Sequence, residues 1–192
     1  MKQADAPSRI ALPRDAVDGL EQAWTDSKGG TPDAQEHGGN LVRDKYNRYS
    51  WRPTKPGKDD TFAADEDDVG KDQSLVGFGH SHPYESGKTD VSFSRHDITG
   101  LVSGTTAVDL LISGKTFFVI ARTAEFAAMV KNLDDDQTAA FKARMKTCWN
   151  SAYSKDQKLS VQERAEVATK KVCEVFHLAY YRGDRSGLDR EV

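Results

Sequence analysis

The chain has 192 residues and a formal net charge of −3, with 37% hydrophobic and 30% charged residues. This length suits one domain that buries a core, and the weak negative charge gives no electrostatic basis for nucleic-acid binding. No apolar run approaches the roughly 18 residues of a membrane span, and the N-terminus lacks the apolar core of a signal peptide. We therefore expect a protein that is cytoplasmic when made, with any secretion following a signal-peptide-independent route.

The first elements in chain order are a helix and a hairpin. The segment "LPRDAVDGLEQAWTDS" has apolar residues at helical spacing and is followed by two glycines, which predicts a first helix that ends there. The segment "NLVRDKYNRYSW" predicts a β-hairpin that turns at "RDKYN". Residues 53–72 contain two prolines, with six acidic residues between Asp59 and Asp68, which predicts a solvated loop.

The middle of the chain predicts a strand at "SLVGFGH", a short helix at "SRHDITGLVSG" and a second hairpin at "AVDLLISGKTFFVIAR". The pattern after this hairpin is helical, and the polar tail is expected to be frayed. The order predicts an α+β fold with its strands in the first two thirds of the chain.

We expect three parts. Residues 1–33 would form an N-terminal helix and lead-in, residues 34–123 the core, and residues 124–192 a C-terminal helical extension packed on that core. Ser160 and Glu163 are spaced as a capping box at the start of the last helix.

The histidines are the most informative residues, because three of the five lie within residues 77–98. His80 and His82 precede Pro83, and in an extended strand both side chains lie on the same face, where they can bind one ion. A catalytic zinc site typically has three protein ligands and a water, so a third ligand should come from a neighbouring element. The candidates are Glu85, Asp90, His96 and Asp97.

Asp97 is favoured because Ser94 lies three residues before it at the start of a predicted helix. Both side chains would then face the same space beyond the helix N-terminus. A plain helix cap with an acidic first turn also explains this pair, and two histidines at this spacing are a weak signal by themselves.

Together these segments resemble the signature of the JAMM (MPN+) metalloproteases, which is H-[ST]-H-P, a spacer, and then S-x-x-D. "HSHP" and "SRHD" match its two halves, and Glu36 ahead of two glycines matches the upstream glutamate of the family. The resemblance covers residues 34–122 and is closest to bacterial JAB-like domains of toxins and phage-related proteins. The ten-residue spacer, 84–93, is longer than usual in the family, so Asp90 remains an alternative to Asp97.

The resemblance implies a JAB/MPN-like (cytidine-deaminase-like) mixed sheet flanked by helices, with Zn2+ as the cofactor. His80, His82 and Asp97 would be the zinc ligands, Glu36 the general base and Ser94 the donor that stabilises the oxyanion. The implied activity is hydrolysis of peptide or isopeptide bonds in a polypeptide substrate. The resemblance also implies a secreted bacterial toxin or effector domain with a cognate immunity or inhibitor protein.

Two other functions stay open. The chain could be a catalytically inactive JAB-fold protein-interaction module, although all five signature residues are present. It could also be a cysteine hydrolase that uses Cys148 or Cys173 with His177, although the apolar neighbours of Cys173 favour a buried helical stripe. The two cysteines could be reduced thiols or a disulfide.

Overall fold

The computed structural model describes residues 1–55, 69–104 and 106–192. The predicted acidic loop lies largely outside these ranges. The strands are β1 Arg9–Ile10, β2 Gly38–Asp44, β3 Tyr49–Pro53, β4 Gln73–Ser81, β5 Val108–Ser113, β6 Thr116–Ala121, β7 Ala179–Asp184 and β8 Gly187–Arg190. The α-helices are α1 Arg14–Asp26, α2 Arg95–Ser103, α3 Ala124–Val130, α4 Asp135–Tyr153 and α5 Val161–Val175.

The described residues form one mixed eight-stranded sheet in the order β1-β8-β7-β6-β5-β4-β2-β3. The strands β4 and β5 are parallel, and the other neighbouring strands are antiparallel. The prediction of an α+β fold with a mixed sheet flanked by helices is confirmed. No helix among the described residues combines the length and apolar character that a bilayer span requires.

Each face of the sheet buries its own apolar core. One face packs against α2, α4 and α5 and includes Leu111 and Phe118, while the other packs against α1 and includes Leu110 and Phe117. Successive side chains alternate between the two faces because a strand points every second side chain to the same side. Burial of each such apolar side chain stabilises the fold by about 1.5–3 kcal/mol. The two cores hold β4 and β5 between layers, so the ends of these strands are fixed in space.

Two glycines allow Trp51 to lie flat across β2 and β4. A Cβ atom on Gly39 would come within 2.7 Å of the Trp51 ring, and one on Gly79 would come within 2.8 Å. Both distances are closer than real Cβ contacts. The close packing of these strands brings the segment before β2 against the end of β4, where the histidines lie.

The C-terminal tail is not frayed, and that prediction is wrong. The helix α5 ends at Val175, and β7 then pairs with β6 while β8 pairs with β7. Tyr180 and Tyr181 are both buried, because β7 is an inner strand with a core on each of its faces. A strand that is buried on both faces has a continuous run of apolar residues. In the sequence this run is hard to distinguish from the apolar face of the preceding helix. Strands therefore also occur in the last third of the chain.

Candidate metal centre

The two histidines converge at the end of β4. His80 lies within the parallel pair with β5, and the backbone N–H of His82 donates to the carbonyl of Ile112 at 3.0 Å, which extends the pairing by one residue. Both histidines are only 4% exposed, and their Nε2 atoms are 3.1 Å apart. The prediction that an extended strand places both imidazoles on one face is confirmed.

Asp97 brings a carboxylate to this pair from the first turn of α2. Its Oδ1 lies 3.4 Å from Nε2 of His80, and its Oδ2 lies 3.2 Å from Nε2 of His82. The same Oδ2 accepts a 2.6 Å hydrogen bond from the backbone N–H of Ser94. The capping box and the contact with the histidines therefore belong to one carboxylate.

Glu36 approaches from the segment that leads into β2. Its Oε1 lies 3.7 Å from Nε2 of His82. One ligand-type atom from each of Glu36, His80 and His82 can be chosen so that all three lie within 4.8 Å of one another. Two carboxylates therefore lie beside the histidine pair. Glu36 precedes the histidines in the sequence, and Asp97 follows them.

Ser81 fixes the approach of Glu36. The backbone N–H of Ser81 donates to the carbonyl of His37 at 2.8 Å, and the Ser81 hydroxyl donates to the same carbonyl at 3.2 Å. The N–H of His37 contacts the Ser81 hydroxyl oxygen at 3.1 Å. The residue between the two histidines thus holds the backbone next to Glu36 against β4. Sequence reasoning missed this role, although the family pattern of Ser or Thr at this position was a usable signal.

The distances among these donor atoms fit one small cation. Two atoms that bind a tetrahedral zinc ion at about 2.0–2.2 Å lie about 3.3–3.6 Å apart. The two Nε2 atoms are 3.1 Å apart, and each lies 3.2–3.4 Å from a different oxygen of Asp97, so each of these pairs is close to this edge length. Asp97 lies nearer to the imidazoles than Glu36 does, and both carboxylates are candidate ligands beside the histidine pair.

The electrostatics of the cluster favour a positive charge among these residues. Burial alone would lower the pKa of His80, but the Asp97 carboxylate, with Glu36 and Asp109, raises that pKa to about 9. Burial works to raise the pKa of Asp97, yet the two imidazoles hold it well below its usual range. A proton or a metal ion is therefore stabilised between the imidazoles and the carboxylates.

Ser94 is the half-buried N-cap residue of α2. Its Oγ accepts hydrogen bonds from the backbone N–H groups of His96 and Asp97, at 3.2 and 3.4 Å. Among the described contacts its hydroxyl proton goes to no acceptor, so the hydroxyl can donate to a group bound near the helix N-terminus.

The other candidate third ligands lie elsewhere. Asp90 accepts hydrogen bonds from the hydroxyls of Thr89 and Thr116 beside the turn between β5 and β6. Glu85 is exposed, and His96 is exposed with its Nε2 accepting from Arg95 at 3.2 Å. Of the four candidates, Asp97 is the one that contacts the histidine pair among the described residues.

Two further residues near the site were also missed by sequence reasoning. Burial raises the pKa of Tyr84 to about 12, and the negative charges of Asp97 and Glu36 add to this effect, which places the phenol near both carboxylates. Asp109 is a buried acid on β5, and burial raises its pKa to about 7. A single acid inside the apolar run "AVDLLIS" was the available signal for Asp109.

The cysteines do not form a nucleophilic site. Cys173 is fully buried and burial raises the pKa of its thiol, whereas His177 is exposed beyond the end of α5. Burial also raises the pKa of the Cys148 thiol. A nucleophilic cysteine needs a lowered pKa and an adjacent base, so the buried-stripe interpretation is the better one. Both cysteines are free thiols.

Comparisons with family models, with curated proteins and with solved structures found no match to this chain. The likeness to JAMM proteases therefore depends on the motif residues themselves.

Proposed function

We propose that this protein is a zinc-dependent hydrolase of peptide or isopeptide bonds, with a JAB/MPN-like fold and a JAMM-like site. One observation carries the proposal. Side chains from three separate parts of the chain, Glu36, the histidine pair and Asp97, converge with donor atoms 3.1–3.7 Å apart. Their order along the chain is that of the family signature.

The residues suit zinc because two imidazole nitrogens and a carboxylate oxygen are donors that this ion accepts. In addition, both rings direct Nε2 into the cluster, where these atoms lie 3.1 Å apart and 3.2–3.4 Å from oxygens of Asp97. When bound, zinc would lower the pKa of a water from about 15.7 toward about 7 and polarise a carbonyl group.

Glu36 and Ser94 would divide the remaining chemistry. The Glu36 carboxylate takes a proton from the attacking water as the new C–O bond forms at the carbonyl carbon. The Ser94 hydroxyl donates a hydrogen bond to the carbonyl oxygen as negative charge develops there. Glu36 then passes its proton to the nitrogen as the C–N bond breaks, so the products are a carboxylic acid and an amine.

The substrate in this proposal is a polypeptide. The resemblance to toxin-associated JAB-like domains further favours a secreted bacterial effector with a cognate inhibitor protein. A resemblance of this kind does not identify which polypeptide is cleaved.

A second candidate is an inactive JAB-fold protein-interaction module. The observation in its favour is the capping box, because the bonds between Ser94 and Asp97 give both residues a structural role that needs no ion. The two proposals differ in zinc content and in hydrolysis.

Metal analysis of the purified full chain tests the first requirement. We expect about one zinc per chain, lost in His80→Ala and in His82→Ala, and retained in Glu36→Gln. Protein without stoichiometric zinc after metal reconstitution would overturn the hydrolase proposal and favour the interaction module.

Hydrolysis is tested by labelling new amines in a bacterial or host lysate treated with the zinc-loaded protein. The matched control is Glu36→Gln, which keeps the metal ligands and removes the base. We expect new amines with the parent protein alone. Equal amine release by the parent and by Glu36→Gln would show that the assigned base is wrong.

A further inference from the structure

A buried carboxyl group lies beside the candidate metal centre and has no part in the proposed mechanism. Asp109 is 9% exposed and lies on β5, the strand parallel to β4. Its cross-strand neighbours are Phe78 on one side and Ile120 on the other. An acid in such apolar surroundings is unfavourable unless a cation or a hydrogen-bond donor lies nearby, so its position requires an explanation.

The strand register places Asp109 on the face of the histidine pair. Phe78 lies opposite Asp109, and His80 lies opposite Leu111, so Asp109 lies two residues before the partner of His80 on the neighbouring strand. Diagonal neighbours of this kind are about 8 Å apart at Cα on one face of a sheet, so their side chains can approach closely. The charge of Asp109 acts on His80, and its carboxyl also interacts with Asp97.

The hydrogen bonds described for the Asp109 carboxyl leave it able to interact with a positive charge in the candidate metal centre. The backbone N–H of Leu110 donates to it, and the described contacts give it no lysine or arginine partner. The nearest positive charge would therefore be a charged His80 or a cation bound beside that ring.

We propose that Asp109 is a positioning residue of the metal centre, whose buried carboxylate behind His80 strengthens the binding of a divalent cation by His80, His82 and Asp97. This inference rests on the proposed zinc site. A carboxylate near ligating histidines adds negative charge that favours a bound cation, and a low-dielectric surrounding makes that charge effective over several ångströms.

The two effects of Asp109 have opposite signs, and this makes the inference testable. In the zinc-free protein the acid is a desolvated group in an apolar layer, so its neutral replacement should leave the fold as stable or make it more stable. In the zinc-bound protein the same replacement should weaken the cation site. A residue with only a structural role would change stability and leave zinc affinity unchanged.

The experiment compares Asp109→Asn with Asp189→Asn in the full chain. Asp189 lies on β8, far along the sheet, and is a matched loss of one carboxylate from an exposed position. Zinc affinity is measured by competition with a chelator, and the thermal midpoint is measured on zinc-free protein. We expect Asp109→Asn to bind zinc about 10–100-fold more weakly with an equal or higher zinc-free midpoint, and Asp189→Asn to bind zinc like the parent.

Three outcomes contradict the inference or its basis. Parent-like zinc affinity in Asp109→Asn overturns the role of Asp109 while the zinc site stands. A parent protein that binds no zinc overturns the proposed function instead. If Asp109→Asn does not fold, Asp109→Leu takes its place, and failure of both zinc-free variants to fold assigns Asp109 a structural role and rejects the inference.

Discussion

Three helices of the described residues begin with a capping box, and the boxes of α2 and α5 both pair a serine with an acid three residues later. Of these two, only the box of α2 contacts the histidines. At α2, Ser94 and Asp97 form a capping box, and at α5, Ser160 and Glu163 form another. Each acid accepts a hydrogen bond from the N-cap N–H, at 2.6 Å in α2 and 2.8 Å in α5. Local structure alone therefore does not distinguish them.

Their surroundings differ. Ser160 and Glu163 are exposed, and the Ser160 hydroxyl donates to Glu163 at 2.8 Å, so its proton is used within the box. Backbone and hydroxyl hydrogen bonds from Ser160 lower the pKa of Glu163, whereas it is the two imidazoles that lower the pKa of Asp97 against its burial. The same motif is a helix cap at one site and a cap joined to a candidate metal centre at the other.

The largest expected difference between the two boxes is in zinc binding. Asp97→Asn should lose stoichiometric zinc, because it removes one of the three proposed ligands, while Glu163→Gln should keep it. Metal analysis after reconstitution measures both variants. Stoichiometric zinc with parent affinity in Asp97→Asn, together with loss of zinc in Asp90→Asn, would require a different ligand set.

Glu36 provides a second comparison with Asp97. Both carboxylates lie beside Nε2 of His82, but Glu36 belongs to no capping box. Glu36→Gln should retain zinc and lower the rate of hydrolysis by about 10²–10⁴-fold, the range typical of a lost general base. The rate of amine release on a cleaved peptide identified from the lysate measures this. Loss of zinc from Glu36→Gln would make Glu36 a ligand instead.

The serines of the two boxes give a matched pair. Ser94→Ala and Ser160→Ala should each lower the free energy of unfolding by about 0.5–2 kcal/mol, because each removes an N-cap. Ser94→Ala alone should also lower the rate of hydrolysis, by about 10²–10³-fold, since it removes a donor to the developing oxyanion. Urea denaturation and kinetics measure the two effects. Equal hydrolysis by the two variants would leave Ser94 with a capping role only.

The smallest expected effect is on the pH dependence of the free energy of unfolding of the zinc-free protein. The folded pKa of His80, about 9, lies above the ordinary value of 6.5, so its stabilisation is complete below pH 6.5 and is lost as the pH rises through 9. This loss should not exceed about 3–4 kcal/mol. The raised pKa of Asp109 acts on stability with the same sign.

Denaturation of metal-free protein between these two pH values measures the loss. His80→Gln should flatten the curve, whereas Glu163→Gln should not change its slope, because Glu163 is ionised throughout this range. A stability curve of the parent that is already flat would contradict the interaction between His80 and the carboxylates.

Much of the site could be predicted from the sequence because its parts are local. An i, i+2 pair in a strand and an S-x-x-D at a helix start are short patterns with defined directions, so His80, His82, Ser94 and Asp97 were identified. Asp109 was not identified, because nothing local relates it to His80; the parallel register of β4 and β5 does.

The sequence by itself determined the helices, the two hairpins and the histidine-bearing strand, since these depend on apolar period, caps and turns within about twenty residues. The tertiary structure alone decided that the C-terminal tail completes the sheet, that Asp97 rather than Asp90 lies at the imidazoles, and that one of the three capping boxes in the described helices contacts the histidines. The physical reason is that burial and long-range strand pairing are set by which surfaces pack together, and a local pattern of residues does not contain that information.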